Sequence, residues 1–308
     1  MSHPRLAVFA RKAKGQVAPL RVIEGQQTAL SRSSHGLFLD AVNHEIVAPS
    51  PLAAAVVVYG REQHGNTPPI RKIQGGLTRL DSPQGVAVDN TNHELVVSND
   101  GRLSIVVFDR LANGNVAPVR EIFGGNTLIT TPEGIAVDPV HNEIILADEG
   151  DPEASPVIPP KLLVFDRTAN GNVAPKRVIT GPNTGMFRPR QLQLDTERDE
   201  LVLADRGLVQ EFGPNQDGFL TPETQGYIGF WPRTASGDAP PTRIIRGPRS
   251  QLSSPRAVYV DMENNEIGAG DTTSHSIMVY RRNFEEHDDS DDRDAEVHDA
   301  DDREASGS

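Results

Sequence analysis

The chain contains no cysteine. Disulfides, thiol nucleophiles and zinc–thiolate sites are therefore excluded. It also lacks long apolar runs. The longest, residues 52–59, falls well short of the roughly 20 residues that cross a bilayer as a helix, so no transmembrane segment is expected. The opening MSHPRLAVFARKAKG has no apolar core of the secretory kind, and no signal peptide is expected in this chain. Nucleophile elbows, P-loops and H-E-x-x-H motifs are missing. So is any basic excess. The net charge is −13, and residues 285–308 alone carry twelve Asp/Glu against two Arg, leaving residues 1–284 at about −3. A nucleic-acid footprint is not evident, and nucleic acid is not an expected partner.

What the chain has in quantity is punctuation. There are 27 Gly and 24 Pro spread along 308 residues, and the apolar residues between them are short runs of Val, Ile, Leu and Ala. That pattern argues for strands and turns. A length of this order is compatible with one all-β domain.

One phrase recurs, P-x-G-[IV]-A-V-D-x-x-x-N-E-[IL]-x-[VL], at residues 34–45, 83–94, 132–143, 189–200 and 255–266, with substitutions. A second follows it, V-F-D-R-x-A-N-G-N-V-A-P-x-R-x-I-x-G, best at 107–124 and 164–181 and weaker at 8–25, 58–75 and 230–247. Each phrase reads as two strands. The Asn113-Gly114 and Asn170-Gly171 pairs accept positive φ and favour tight hairpin turns. Four antiparallel strands in a unit of this period make a propeller blade, with strands A to D counted outward from the channel. Strand A begins at Gly36, Gly85, Gly134, Gln191 and Ala257, giving intervals of 49, 49, 57 and 66 residues. The extra length lies at 151–160 and 207–226, between strands B and C.

Five inner strand pairs give five blades; six, with a reduced blade at the junction, is the alternative. The chain starts in mid-blade, so N-terminal strands are expected to close the ring and remove its open edges. Residues 6–9 and 277–280 both read as strand C, and one of them must be displaced. The expected architecture is a single all-β propeller over residues 1–284. Residues 285–308 are expected to be a disordered acidic tail, since dense like charge without apolar content cannot form a core. The tail lacks EF-hand spacing.

The P-x-G-I-A-V-D phrase, with its closest copy at 132–138 followed by 144–148, resembles the NHL-repeat propellers. The likeness covers roughly residues 5–282. It implies a propeller that serves as a binding or scaffold module for a small molecule, glycan or protein, on the secreted or periplasmic side. The same superfamily holds lactonases and lyases, so a metal-dependent lactonase-like hydrolase is the alternative.

Internal repetition separates architecture from function. Asp40, Asp89, Asp138, Asp195 and Asp261 end every strand A, and Glu45, Glu94, Glu143, Glu200 and Glu266 open every strand B. Arg11, Arg61, Arg110, Arg167 and Arg233 close strand C; Arg21, Arg71, Arg120, Arg177 and Arg243 sit within strand D. These are expected to be turn ligands and ion-pair ladders. His44, His93 and His141 fall in A–B turns, on the opposite face from the channel mouth, as solvated turn residues.

Function is expected where the blades differ. The residue before strand A is His35, Gln84, Glu133, Arg190 or Arg256. The residue ending strand B is Ser50, Asn99, Asp148, Asp205 or Asp271. A closed ring gathers both series near one mouth, as a polar funnel that orients a small ligand or a cation. Asp148, Glu149 and Asp151 lead into the first insertion; the second carries Asp217, Phe219 and Tyr227. Under the lactonase-like alternative, Asn99, Glu133, Asp148, Asp205 and Asp271 hold calcium, which takes roughly six to eight oxygens, and His35 acts as base. Arg190 and Arg256 beside that cation oppose it. Charge reversal at Arg190 or Asp205 is expected to leave folding intact.

Overall fold

The computed structural model describes residues 4–32, 35–208 and 224–282. The expected tail and most of the second insertion lie outside the described residues. No α-helix occurs among the described residues, and no helix is long and apolar enough to cross a membrane.

The strands run in chain order as blades. An N-terminal hairpin of β1 (Arg5–Val8) and β2 (Arg21–Glu24) precedes blade 1, which comprises β3 (Phe38–Asp40), β4 (Glu45–Ser50), β5 (Ala55–Gly60) and β6 (Arg71–Gln74). Blade 2 is β7 (Pro83–Asp89), β8 (Glu94–Asn99), β9 (Ser104–Asp109) and β10 (Arg120–Phe123). Blade 3 is β11 (Pro132–Asp138), β12 (Glu143–Asp148), β13 (Lys161–Asp166) and β14 (Arg177–Ile179). Blade 4 is β15 (Pro189–Asp195), β16 (Glu200–Gly207), β17 (Gln225–Pro232) and β18 (Arg243–Ile245). Blade 5 is β19 (Pro255–Asp261), β20 (Glu266–Asp271) and β21 (Ser276–Arg281). The molecule is a five-bladed propeller of antiparallel sheets.

The inner strands are continuous apolar runs because both of their faces are covered. In β8, Leu95 and Val97 pack toward blade 1 beside Val47 and Val58, while Val96 packs toward blade 3 beside Ile144 and Leu146. Blades 1 to 4 thus each contribute one face to each of two cores, and blade 5 contributes to one.

The repeated charges hold the ring together. The Asp ending strand A accepts turn amides: Asp40 takes those of Val42 and Asn43, Asp89 those of Thr91 and Asn92, and Asp138 those of Val140 and His141. The strand D arginine grips the strand B glutamate of its own blade with both terminal nitrogens, as in Arg120 on Glu94 at 2.7 and 2.9 Å. The arginine closing strand C of the next blade reaches back to the same carboxylate, as in Arg167 on Glu94 at 2.8 Å. The pattern repeats at Glu45 with Arg71 and Arg110, and at Glu143 with Arg177 and Arg233.

The same pattern identifies how the ring closes. Ile23 of β2 bridges Gly65 in parallel, as Ile73 bridges Gly114 and Ile122 bridges Gly171. Arg21 donates to the Arg61 carbonyl at 2.7 Å, as Arg120 donates to that of Arg167 at 3.0 Å. By these contacts β2 stands in the strand D position ahead of blade 1. On the other side Arg11 pairs with Glu266 of blade 5 at 2.8 Å, in place of Arg61. Leu6 and Ile23 pack on Ala48, Val57 and Tyr59. The competition for strand C is settled in favour of β21, which joins the sheet of blade 5, while β1 stays outside with β2; no ladder joins the two among the described residues. The cost is an apolar strip on blade 5, where Tyr259, Ile277 and Val279 are exposed. Gly268 replaces there the Val47, Val96, Ile145 and Val202 of the other blades.

Candidate functional site

Strand A of blades 2 to 5 begins with a bulge. In blade 2, Pro83 pairs with Asn99 and the ladder resumes at Val86 with Val97, so Gln84 and Gly85 face one residue on β8. Equivalent shifts follow Pro132, Pro189 and Pro255. A bulge leaves one residue unpaired and re-aims its side chain. The residue so released is Gln84, Glu133, Arg190 or Arg256, and the proline ahead of it stands where no ladder donor is needed.

These four and His35 line one cavity at the channel mouth, together with Gly36, Gly85, Gly134 and Gln191. The cavity measures about 20 Å³, close to the roughly 10–15 Å³ that admits one water. Its narrowness follows from the strand A glycines. A Cβ on Gly85 would stand 2.6 Å from the Glu133 carbonyl oxygen, and one on Gly134 would stand 2.6 Å from Gln191 Cα.

The electrostatics are uneven around the ring. Arg190 is clamped between Glu133 and Glu149, bonding the first through Nη1 and the second through Nη2 at 2.6 Å. Arg188 holds the other Glu149 oxygen at 2.7 Å. His35 Nδ1 lies 3.7 Å from Glu133. Burial pushes the Glu133 carboxyl up, but His35 and Arg190 outweigh it and hold the group below its ordinary range. Asp100 moves the other way, raised by burial and by the Glu133 charge. Arg206 and Arg256 stand near this cluster with no side-chain hydrogen bond or ion pair among the described residues. Burial, and then Arg256, Arg190 and Arg188, depress Arg206 to about 10. Arg256 is lowered by burial and by Arg190. Buried Nε atoms without partners occur on Arg190, Arg206 and Arg256, and Gln84 Oε1 is likewise unsatisfied.

The residues ending strand B take a different part. Asn99 accepts from the Asp81 amide at 2.7 Å and donates to the Arg79 carbonyl and Ser104. Asp148 accepts from the amides of Thr130, Thr131 and Gly150 and pairs with Lys161 at 2.9 Å. Asp205 accepts from Phe187, Arg188 and Gly207, and Asp271 from Ser253, Ser254, Thr273 and Ser274. Each fastens the segment entering its own strand A to strand B. None of the four lines the cavity.

This geometry bears on two expectations. Of the oxygens assigned to calcium, those of Asn99, Asp148, Asp205 and Asp271 are engaged with backbone amides and do not line the cavity. Among the described residues, no group of three or more acidic or histidine side chains is placed to hold a metal. Arg190 and Asp205 are also buried within networks, so their charge reversal is expected to unfold the site. Arg256 is the better probe. Sequence reasoning missed Arg188 and Arg206. They stand beside repeated positions, and their signal was a non-repeating charge next to a repeating one.

Comparison with known proteins locates the fold and stops there. No family model matches the chain, and no curated protein matches its sequence. A structure from a nidogen–laminin complex is 16% identical with a TM-score of 0.51, covering 80% of this chain and 80% of that one. Hydrazine synthase of Kuenenia stuttgartiensis is 11% identical with a TM-score of 0.57, covering 84% of this chain and 69% of that one. With both, what this chain shares is the β-propeller fold.

Proposed function

We propose that this chain is an NHL-like propeller that acts as a binding or scaffold module, taking a small molecule, glycan or protein at its channel-mouth face. The observation that carries the reading is the division of labour among side chains. Residues present in every blade are engaged in turns and in ion pairs within and between blades, Arg61 being the exception among the described residues. Those that differ, His35, Gln84, Glu133, Arg190 and Arg256, come one from each blade to a single cavity. Convergent polar groups in a concave site are the usual mark of ligand recognition. The cavity admits a terminal group, so the body of the ligand rests on the rim. Asn99, Asp148, Asp205 and Asp271 position that rim through the backbone. One structural neighbour comes from a complex between two proteins, which accords with a protein among the ligand classes.

A thermal-shift screen of the full chain against small acids, sugars, oligosaccharides and peptides tests this reading. Expected is at least one class that raises Tm for the native chain and not for Arg256→Glu, whose own Tm without ligand is not lowered. A panel without any such compound, or hits indifferent to substitutions at both Arg256 and His35, would contradict the assignment of the mouth as the binding face.

A further inference from the structure

We infer that the mouth recognises its ligand through an oxyanion, a carboxylate or a phosphate, held by Arg256 of the cavity lining with Arg206, whose backbone is bonded to that of Arg188, beside the same cluster. The inference rests on the binding reading above and specifies its chemistry. Arg188, Arg190, Arg206 and Arg256 bring four guanidinium groups together, and Glu133 and Glu149 answer only two of them. Both carboxylates are taken by Arg188, Arg190 and His35. The remaining two guanidiniums are partly buried, lie within electrostatic range of each other, and have no ion-pair partner among the described residues.

Such an arrangement is costly without an anion. Partial burial removes water that would screen the two charges, and an unpaired buried charge is strongly destabilising. The depressed affinity of Arg206 for its proton reports the same crowding. Elsewhere in the ring, every arginine of the strand D series meets a carboxylate. Arg71, Arg120, Arg177 and Arg243 each grip a glutamate with two nitrogens. Arg206 and Arg256 belong to neither repeated series, and they depart from that rule at the channel mouth. Planar guanidinium forks match carboxylate and phosphate oxygens with paired hydrogen bonds. A cation is disfavoured by the same charges. Arg190, fixed by Glu133 and Glu149, lines the cavity with Arg256, and His35 and Gln84 line it too.

The test uses the full chain and simple probes. Inorganic phosphate and malonate are titrated by calorimetry at constant ionic strength set with sodium chloride. Native protein is expected to bind at least one of them, and the stronger of the two identifies phosphate or carboxylate as the group recognised. Arg206→Gln and Arg256→Gln are each expected to weaken binding by about tenfold or more, the loss typical of a charged hydrogen-bond partner. Lys14→Gln, on a turn of the opposite face, should bind as the native chain does. Without any anion, Arg206→Gln is expected to melt at or above the native temperature, because it removes a repulsion. A lower Tm would place Arg206 in the architecture and overturn the assignment. So would phosphate and malonate affinities that are absent, or the same in both arginine variants. Should ligands from the wider screen still depend on His35 and Arg256 in that case, the binding reading stands and only the oxyanion fails. Loss of both sinks the two together.

Discussion

Glu143→Ala is expected to destabilise the propeller by about 3 kcal/mol or more, the scale on which breaking a buried ion pair leaves charges uncompensated. Glu143 is 3% exposed and faces three cations: Arg177 at 2.6 Å, Lys176 at 3.1 Å and Arg233 of the next blade at 3.4 Å. Its removal leaves Arg177 and Lys176 turned toward a site without that counter-charge and removes one link between blades 3 and 4, while Arg233 keeps Asp199 and Asp138. Urea unfolding at neutral pH measures the effect. A change under about 0.5 kcal/mol, the size of an exposed surface pair, would show that the belt is ornamental to stability. The same group sets an acid limit. Hydrogen bonding from Arg177, opposed by burial and aided by Lys176, holds the Glu143 carboxyl at about 2 against an ordinary 4.5. A carboxyl depressed in the folded state contributes its full stability above the unfolded value and loses it as pH falls toward the folded one. The native chain should therefore weaken between about pH 4.5 and 2. Glu143→Gln, already lacking the charge, should weaken less over that interval.

Gly134→Ala is the second large effect, expected to cost about 3 kcal/mol, at the upper end of overpacking penalties. The added Cβ would stand 2.6 Å from Gln191 Cα and 2.8 Å from Leu192 N, and closer still to the Arg190 carbonyl oxygen. All three are backbone of strand A in the next blade, so no side chain can rotate aside. Relief requires blades 3 and 4 to part, which opens the cavity. Gly36→Ala is the internal control. Its Cβ would meet its nearest neighbour, the Gln84 carbonyl oxygen, at 3.3 Å, and it should cost under about 1 kcal/mol. Denaturant unfolding of the two variants compares them directly. Equal losses would mean that close approach of the inner strands does not set the radius of the ring.

Much of this architecture is legible in the sequence because it repeats. The P-x-G-[IV]-A-V-D phrase marks each inner strand, and the Arg and Glu series mark each ionic contact, since five blades impose one requirement five times. What repetition hides is the job of a position whose residue varies while its role does not. Asn99, Asp148, Asp205 and Asp271 look like a variable funnel, yet every one accepts an amide from the segment ahead of strand A. An amide oxygen and a carboxylate oxygen serve equally there, so variation in residue type does not imply variation in task. The bulge that aims Glu133 and Arg190 into the channel is also silent, because it depends on register against strand B. Arg206 is hidden for a third reason. It lies one residue past a repeated position, and only the packing of blade 5 against blade 4 brings it toward Arg256. The half-open fifth blade follows from local sequence once seen, since Gly268 supplies no side chain to pack against a neighbour.

The absence of cysteine gives the central claim a clean test. Arg11→Cys with Glu266→Cys introduces the only two thiols of the chain, at a contact that exists only if the N-terminal hairpin closes on blade 5. Treatment of dilute protein with a short bis-maleimide should link residues 11 and 266 within one molecule, detected as a single cross-linked peptide from monomer. Cross-links found only between molecules, or none while both thiols react singly, would contradict a closed ring and with it the shared channel mouth.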